Sequence, residues 1–328
     1  MNSLHVHMPL LLQLFFASVT VNVGVKYLER KHGMDYLAVT HTCWITTSVV
    51  VVAIVMSMRF FGFAGGMLPI TREQWQAFAP TALLLSIKTF ALLHTWHYVN
   101  EATFLFSHGC FVGVVAVVDY RYFGNKLSIL EVIFLVLIIA NILLFSCFLG
   151  VMVNPMGLVL LLAYSIATIL NIFWNKVVIT RHIKELKVQN VAGTTLIQQI
   201  EMLPFAFFSF VLEDKPVRER IMAFALTDSK PVAVMLTLLL FLAGAVSRAF
   251  LYPKCYTKFS PSSIIVASVT NKAATILICM YLFDTQPTPV YATHSSLLKK
   301  CIISSLCFAV AGNIRYHRGR RLGGGTNF

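Results

Sequence analysis

Apolar residues run along this chain in long unbroken blocks, at about 8–28, 35–58, 76–98, 102–122, 128–149, 155–179, 194–212, 232–252, 261–283 and 298–316. Each block is near the ~20 residues that a helix needs to cross a bilayer, and none alternates between apolar and polar as a barrel strand does. The pattern therefore predicts an all-α, polytopic membrane protein of about ten transmembrane helices joined mostly by short loops. No polar stretch is long enough for a separate soluble domain, so residues 1–328 read as one integral membrane domain. Its halves are about 8–150 and 155–316, followed by a basic, glycine-rich tail at 317–328. Five spans per half is an odd number, which would set two copies in opposite orientation, as in inverted-repeat transporters. The cavity is then expected where the halves meet.

Composition agrees: 58% of residues are hydrophobic and 12% are charged. The formal charge of +13 reads as loop chemistry and not as a nucleic-acid footprint. With ten spans both termini share a side, and that side holds more Lys and Arg than the other, counting Lys176, Arg248 and the segment Arg181-His182-Ile183-Lys184 among its bases. The bias places both termini in the cytosol. The first span has no basic residue before it and no cleavage signature, so it reads as a retained helix. The seven cysteines are scattered, without CxxC or His/Cys ligand spacing. Core packing explains them, with no metal site, and nothing in the sequence calls for a cofactor. No N-x-S/T sequon occurs, so N-glycosylation is not expected.

Two cations, Lys88 and Lys272, fall inside spans. Lys272 lies eleven residues from either end of the ninth span, Pro261 to Phe283, about 16 Å at ~1.5 Å per residue. A lysine at that depth costs roughly 2.5–3.5 kcal/mol to insert, so an anion, either a ligand phosphate or an acid on another helix, is expected to repay it. Ser268, Lys272 and Thr275 share one helical face, with Asn271 on its edge and Thr270 close by.

The seventh span carries the second anomaly. Thr194, Gln198 and Glu201 are spaced i, i+4, i+7 and share a face, with Gln199 beside them. Either this stripe faces a ligand, or its amides and carboxylate bond neighbouring helices. His94, His97 and His108 are expected to be satisfied near the interfaces, and Asp119 with Arg121 to anchor the end of the fourth span. The glycine-rich segment Phe60 to Gly66 lacks phosphate-loop spacing and reads as a turn.

At these two spans the chain resembles the GDP-mannose transporter-like branch of the nucleotide-sugar transporters, in the drug/metabolite transporter superfamily, as a divergent member. That branch has Phe-Tyr-Asn-Asn in its seventh helix. Here Leu196-Ile197-Gln198-Gln199 stands in that place, followed by Pro204, Phe208-Ser209-Phe210 and Glu213-Asp214 at matching spacing. The branch's Gly-Ala-Leu-Asn-Lys stands as Ser268-Val269-Thr270-Asn271-Lys272. The ending Asp119-Tyr120-Arg121-Tyr122-Phe123-Gly124 is also similar, whereas the family's Phe-Lys-Asn of the fourth helix falls at Ser107-His108-Gly109, without a lysine.

The resemblance implies that Gln198 and Gln199 read a nucleobase and that Asn271 with Lys272 holds the diphosphate-sugar. It adds Glu201, Ser268 and Thr270 as neighbours in the site. A carboxylate facing the base would accept two hydrogen bonds from guanine N1–H and N2–H2, against one from uracil. What the resemblance implies overall is a non-enzymatic antiporter of the Golgi membrane, with the ER as second choice. It would move a nucleotide sugar (GDP-mannose-like or a UDP-sugar) into the lumen in exchange for nucleoside monophosphate. Its partners would be those two solutes, the lipid bilayer and, as in the family, a second copy in a homodimer, but no nucleic acid. The alternatives are a triose- or pentose-phosphate transporter on the same fold, or a receptor or scaffold that does not transport.

Overall fold

The computed structural model describes residues 4–61, 72–95, 98–150, 154–185, 191–226, 232–283 and 289–322. His97, most of the Phe60–Gly66 segment, the side chains of Arg181-His182-Ile183-Lys184 and the last six residues of the tail lie outside what is described. Eleven helices follow one another: α1 (Leu4–His32), α2 (Tyr36–Phe60), α3 (Arg72–Thr95), α4 (Glu101–Phe123), α5 (Ile129–Leu149), α6 (Pro155–Glu185), α7 (Val191–Leu212), α8 (Lys215–Leu226), α9 (Val232–Lys258), α10 (Pro261–Phe283) and α11 (Pro289–Leu322). Ten of them are long and apolar enough to cross a membrane, and no strand occurs among the described residues. The protein is an all-helical, multi-pass membrane protein.

Local chemistry sets the ends. Asn100 caps α4 by accepting from the Thr103 N–H at 2.8 Å, and Gly124 ends it in the left-handed region at φ 66°, where a residue without Cβ is strain-free. Ser128 and Glu131 form a capping box at the start of α5: the Glu131 N–H donates to Ser128 Oγ at 3.2 Å, and the Ser128 N–H donates to Glu131 Oε2 at 2.7 Å. Asn100 and the capping box satisfy backbone donors that the first helical turn leaves open, and the Gly124 N–H donates to the Tyr120 carbonyl of the last turn.

Three elements depart from the hydropathy pattern. The segment after residue 213 folds as the short helix α8 where a loop is expected. Asp214 O accepts the first helical bonds, Ile221 is buried, and Phe224 packs on the apolar cluster of α1, α2 and α9. Arg220 Nε donates to Asp35 Oδ2 at 2.8 Å, tying α8 to the α1–α2 corner. Next, α9 is expected to stop at Tyr252, before a proline. It continues through Pro253 to Lys258, as membrane helices tolerate when neighbours satisfy the freed backbone. This puts Arg248 ten residues inside the helix, not at its end. Finally, α11 runs on to Leu322 through a basic segment expected to be tail, since Lys and Arg are good helix formers.

The chain divides into two compact units, and neither follows a half of the sequence. The first comprises Met1–Phe15, Asn100–Val153 and Lys258–Phe328; the second, Phe16–Val99 and Asn154–Thr257. In terms of spans, the first unit takes the fourth and fifth with the ninth and tenth, and the second takes the first three with the sixth to eighth. In the first unit α4 packs on α5, α10 on α11, α4 on α10 and α5 on α11, closing a ring of four. In the second, α3 packs on α6 and α7, and α2 on α7 and α8. There α1 and α9 approach so closely that a Cβ on Gly244 would stand 3.0 Å from the Ala17 carbonyl.

Candidate functional site

The first unit holds the Lys272 group. α10 starts where Asp119 of α4 receives it: its Oδ2 accepts from the Ser262 N–H at 3.1 Å and from Ser262 Oγ at 2.5 Å. Asn125 Nδ2 donates to the other oxygen at 2.7 Å. The carboxylate is 1% exposed and lies at the positive end of the α10 dipole, so the expected anchor at the end of the fourth span is there, and it clamps α10. Three turns on, the Lys272 ammonium lies over the Phe104 ring of α4, 4.6 Å from its centroid, a cation–π distance. Asn271 is 4% exposed, and its Oδ1 has no hydrogen-bond partner among the described residues.

The remaining predicted members of this group behave differently. Ser268 is half-buried on the Lys272 face. Thr270 is two residues from Lys272, roughly the opposite side of the helix, and its hydroxyl donates to the Val266 carbonyl at 2.8 Å. Thr275 likewise donates to Asn271 O at 2.7 Å. These two hydroxyl hydrogens are used by their own helix, which leaves the ammonium, the Asn271 amide and the Ser268 hydroxyl as candidate donors to a ligand. His108, where the family pattern has lysine, is fully buried, with Nδ1 3.0 Å from the Phe104 carbonyl. Its ring lies 4.6 Å from that of Phe104. It supports the ring on which Lys272 rests.

The second unit holds the α7 group. Gln198 Nε2 donates to Asn175 Oδ1 of α6 at 2.7 Å and to Thr81 Oγ1 of α3 at 3.3 Å. Asn175 Nδ2 in turn donates to Asn171 Oδ1 at 2.8 Å, and the Thr81 hydroxyl to Phe78 O at 2.6 Å. Both amide hydrogens of Gln198 are therefore engaged, and only its Oε1 is left to a ligand. Gln199 turns to α2 instead, where its Oε1 accepts from Ser48 Oγ at 2.9 Å. The reading in which these amides bond neighbouring helices describes both side chains. Two members of the stripe stay open: Thr194 Oγ1, in a residue 1% exposed, and Glu201 Oε2 have no hydrogen-bond partner among the described residues. Pro204 adds a further acceptor here, because it has no N–H to give the carbonyl four residues back.

Asn171 and Asn175 are spaced i, i+4 in the sixth span, which is the signal in the sequence that they face one way. Thr81 and Ser48 carried no signal, because lone hydroxyls are common in membrane helices. No cluster of metal-ligating side chains occurs among the described residues, and none of the seven cysteines is in a disulfide.

No family model matches the sequence, and no curated protein matches it either. Among solved structures the chain is similar to one described as "Crystal structure of protein", at 13% sequence identity with a TM-score of 0.60, covering 90% of this chain and 97% of that one. At that identity the likeness concerns the fold alone. What can be said plainly is that the chain adopts a ten-span helical membrane fold that another protein shares over nearly its whole length.

Proposed function

We propose that this protein is an organic-phosphate antiporter working by alternating access, with a nucleotide sugar and a nucleoside monophosphate as its exchange partners. One observation carries the reading: the ammonium of a lysine at the middle of α10 is held over an aromatic face, 4.6 Å from the Phe104 ring centroid, at a depth where a charge is costly. A cation–π contact offsets part of the cost of burying the charge, and a phosphate oxygen would offset more. Both exchange partners carry phosphate, so each can pair with Lys272 during the crossing, which is what coupled exchange requires. The sequence resemblance supplies the nucleotide sugar, the Golgi or ER membrane, cytosolic termini and a homodimer as parts of the same proposal.

The test is counterflow in vesicles reconstituted with purified protein. Lys272→Ala is expected to abolish exchange, a loss of about 100-fold or more, while the protein still elutes as a folded species. Exchange retained in that variant overturns the reading.

On the α7 side, a Glu201 carboxylate with Oε2 unpartnered among the described residues supports guanine as the base, since the two oxygens of a carboxylate can take N1–H and N2–H2 together. Glu201→Gln should then reduce the preference for GDP over UDP by about tenfold, read by competition, and an unchanged preference removes Glu201 from base recognition. The engaged hydrogens of Gln198 favour a second reading, in which the substrate is a triose or pentose phosphate with no base to read. Competition by free sugar phosphates against GMP and UMP separates the two.

A further inference from the structure

Four segments of the first unit meet at the end where α4 stops and α10 starts. Asp119, near the end of α4, holds the start of α10 through Ser262. Asn125, in the α4–α5 turn, donates to the same carboxylate, and Ser128 with Glu131 closes the start of α5. There α11 passes so close that a Cβ on Gly312 would stand 3.0 Å from Glu131 Oε1. Gly312 is also the last residue of the apolar span within α11, so Glu131 marks the level at which α11 leaves the apolar layer.

The helix does not stop at that level. It continues from Asn313 to Leu322, about 15 Å at ~1.5 Å per residue. This extension carries Arg315, Arg318, Arg320 and Arg321 and has no acid. Arg121 and Lys126 are exposed at the same end, on α4 and in the turn after it. The acids of the segments 119–131 and 312–322 are Asp119 and Glu131. Each is 1% exposed and each is engaged at a helix start, so the surface at this end is left to the bases. The same rim exposes Tyr122, Ile129 and Leu130, an aromatic and two aliphatic side chains of the kind that sits between headgroups and acyl chains.

A soluble anion would use the bases but not the apolar rim. A bilayer supplies both parts, acyl chains beside Ile129 and Leu130 and acidic headgroups beside bases held just outside the apolar layer. Five of these six bases are arginine, whose planar fork takes two phosphate oxygens at once. A monoester phosphate carries close to two charges at neutral pH. We propose that Arg121, Lys126 and the four arginines of the α11 extension form a binding surface for phospholipids with a monoester phosphate in the headgroup, a phosphoinositide or phosphatidic acid, in the leaflet on this side of the membrane. The surface uses no residue of the Lys272 or α7 groups and stands whatever solute the protein carries.

Full-length protein in a neutral detergent is mixed with equal amounts of phosphatidylinositol 4-phosphate, phosphatidylserine and phosphatidylcholine. The lipids that stay bound are counted by native mass spectrometry. The wild type is expected to retain the phosphoinositide about tenfold over phosphatidylcholine, with phosphatidylserine between them. In Arg315→Gln/Arg318→Gln/Arg320→Gln/Arg321→Gln that preference should fall to about twofold or less, while the same four residues changed to lysine should keep about a third of it or more. Should the neutral variant not fold, Arg121→Gln/Lys126→Gln, at two exposed positions, is expected to lose about threefold by itself. The control is Lys215→Gln/Arg218→Gln/Arg220→Gln, which removes three bases from α8 of the other unit and should leave the preference unchanged. Equal retention of the three lipids by the wild type, or an equal loss in the α8 variant, overturns the surface. Displacement of the lipid by an equal concentration of inositol 1,4-bisphosphate overturns its assignment to a membrane lipid.

Discussion

The two compact units place their polar groups in opposite ways. In the first, the polar contacts gather at helix ends: Asp119 clamps the start of α10, and Ser128 with Glu131 closes the start of α5. The middle of the unit holds the Lys272 ammonium over the Phe104 ring, with the buried His108 and Asn271 near it in sequence. In the second, the polar contacts lie mid-helix, as a line of amides and hydroxyls through α3, α6 and α7. The contrast has a physical basis. A charge is easily stabilised at a helix terminus, where open N–H groups and the dipole meet it, whereas mid-helix polar groups must find side chains on neighbours or remain orphaned. The first unit therefore has its helix ends fixed by side chains, while the second is joined through its middle and leaves Thr194 Oγ1 and Glu201 Oε2 among the buried atoms without a hydrogen-bond partner among the described residues.

The sharpest way to break this contrast, after removal of Lys272, is at Asp119. Asp119→Ala leaves the Ser262 N–H and hydroxyl and the Asn125 amide without their acceptor, at a cost of about 3 kcal/mol. A drop in the unfolding temperature in detergent should be the largest of the stability effects considered, and Asp119→Asn should recover part of it because one oxygen still accepts. In the second unit Gln198→Ala should cost about 1 kcal/mol, since hydrogen bonds between membrane helices average less than those in water. Stability should fall only slightly while Asn175 is released. If the same variant also weakens nucleoside monophosphate binding, Gln198 Oε1 belongs to the site; if it only destabilises, the network is structural. The smallest effect is expected at the rim. Arg220→Ala removes a pair whose side chains are 55% and 30% exposed, worth about 0.5 kcal/mol or less. A large effect there would mean that α8 contributes more to the second unit than its surface position implies.

Much of this was legible in the residue pattern. The lysine at the centre of the ninth span, eleven residues from either end, was visibly misplaced, and Thr194, Gln198 and Glu201 visibly shared a face. What the pattern could not give was the destination of each polar atom. Thr270 and Thr275 looked like donors to a ligand, yet both donate to the turn behind them, an option open to any hydroxyl in a helix. Gln198 and Gln199 looked like a pair, yet adjacent positions on a helix diverge by about 100°, and one turns to α6 while the other turns to α2. Arg248 was counted as a surface base because Pro253 reads as a stop, and the helix does not stop there.

The sequence by itself determined that ten helices cross a membrane, because the length and polarity of an apolar block are local properties and a bilayer imposes one length on all of them. It also determined that Lys272 needs an anion or a substitute for one. Only the tertiary structure decided that the substitute is the ring of Phe104, that Asp119 caps a helix 143 residues away, and that the chain divides across its halves and not between them. Those are pairings between distant segments, and hydropathy, which is nearly the same on every lipid-facing helix, does not encode which helix meets which.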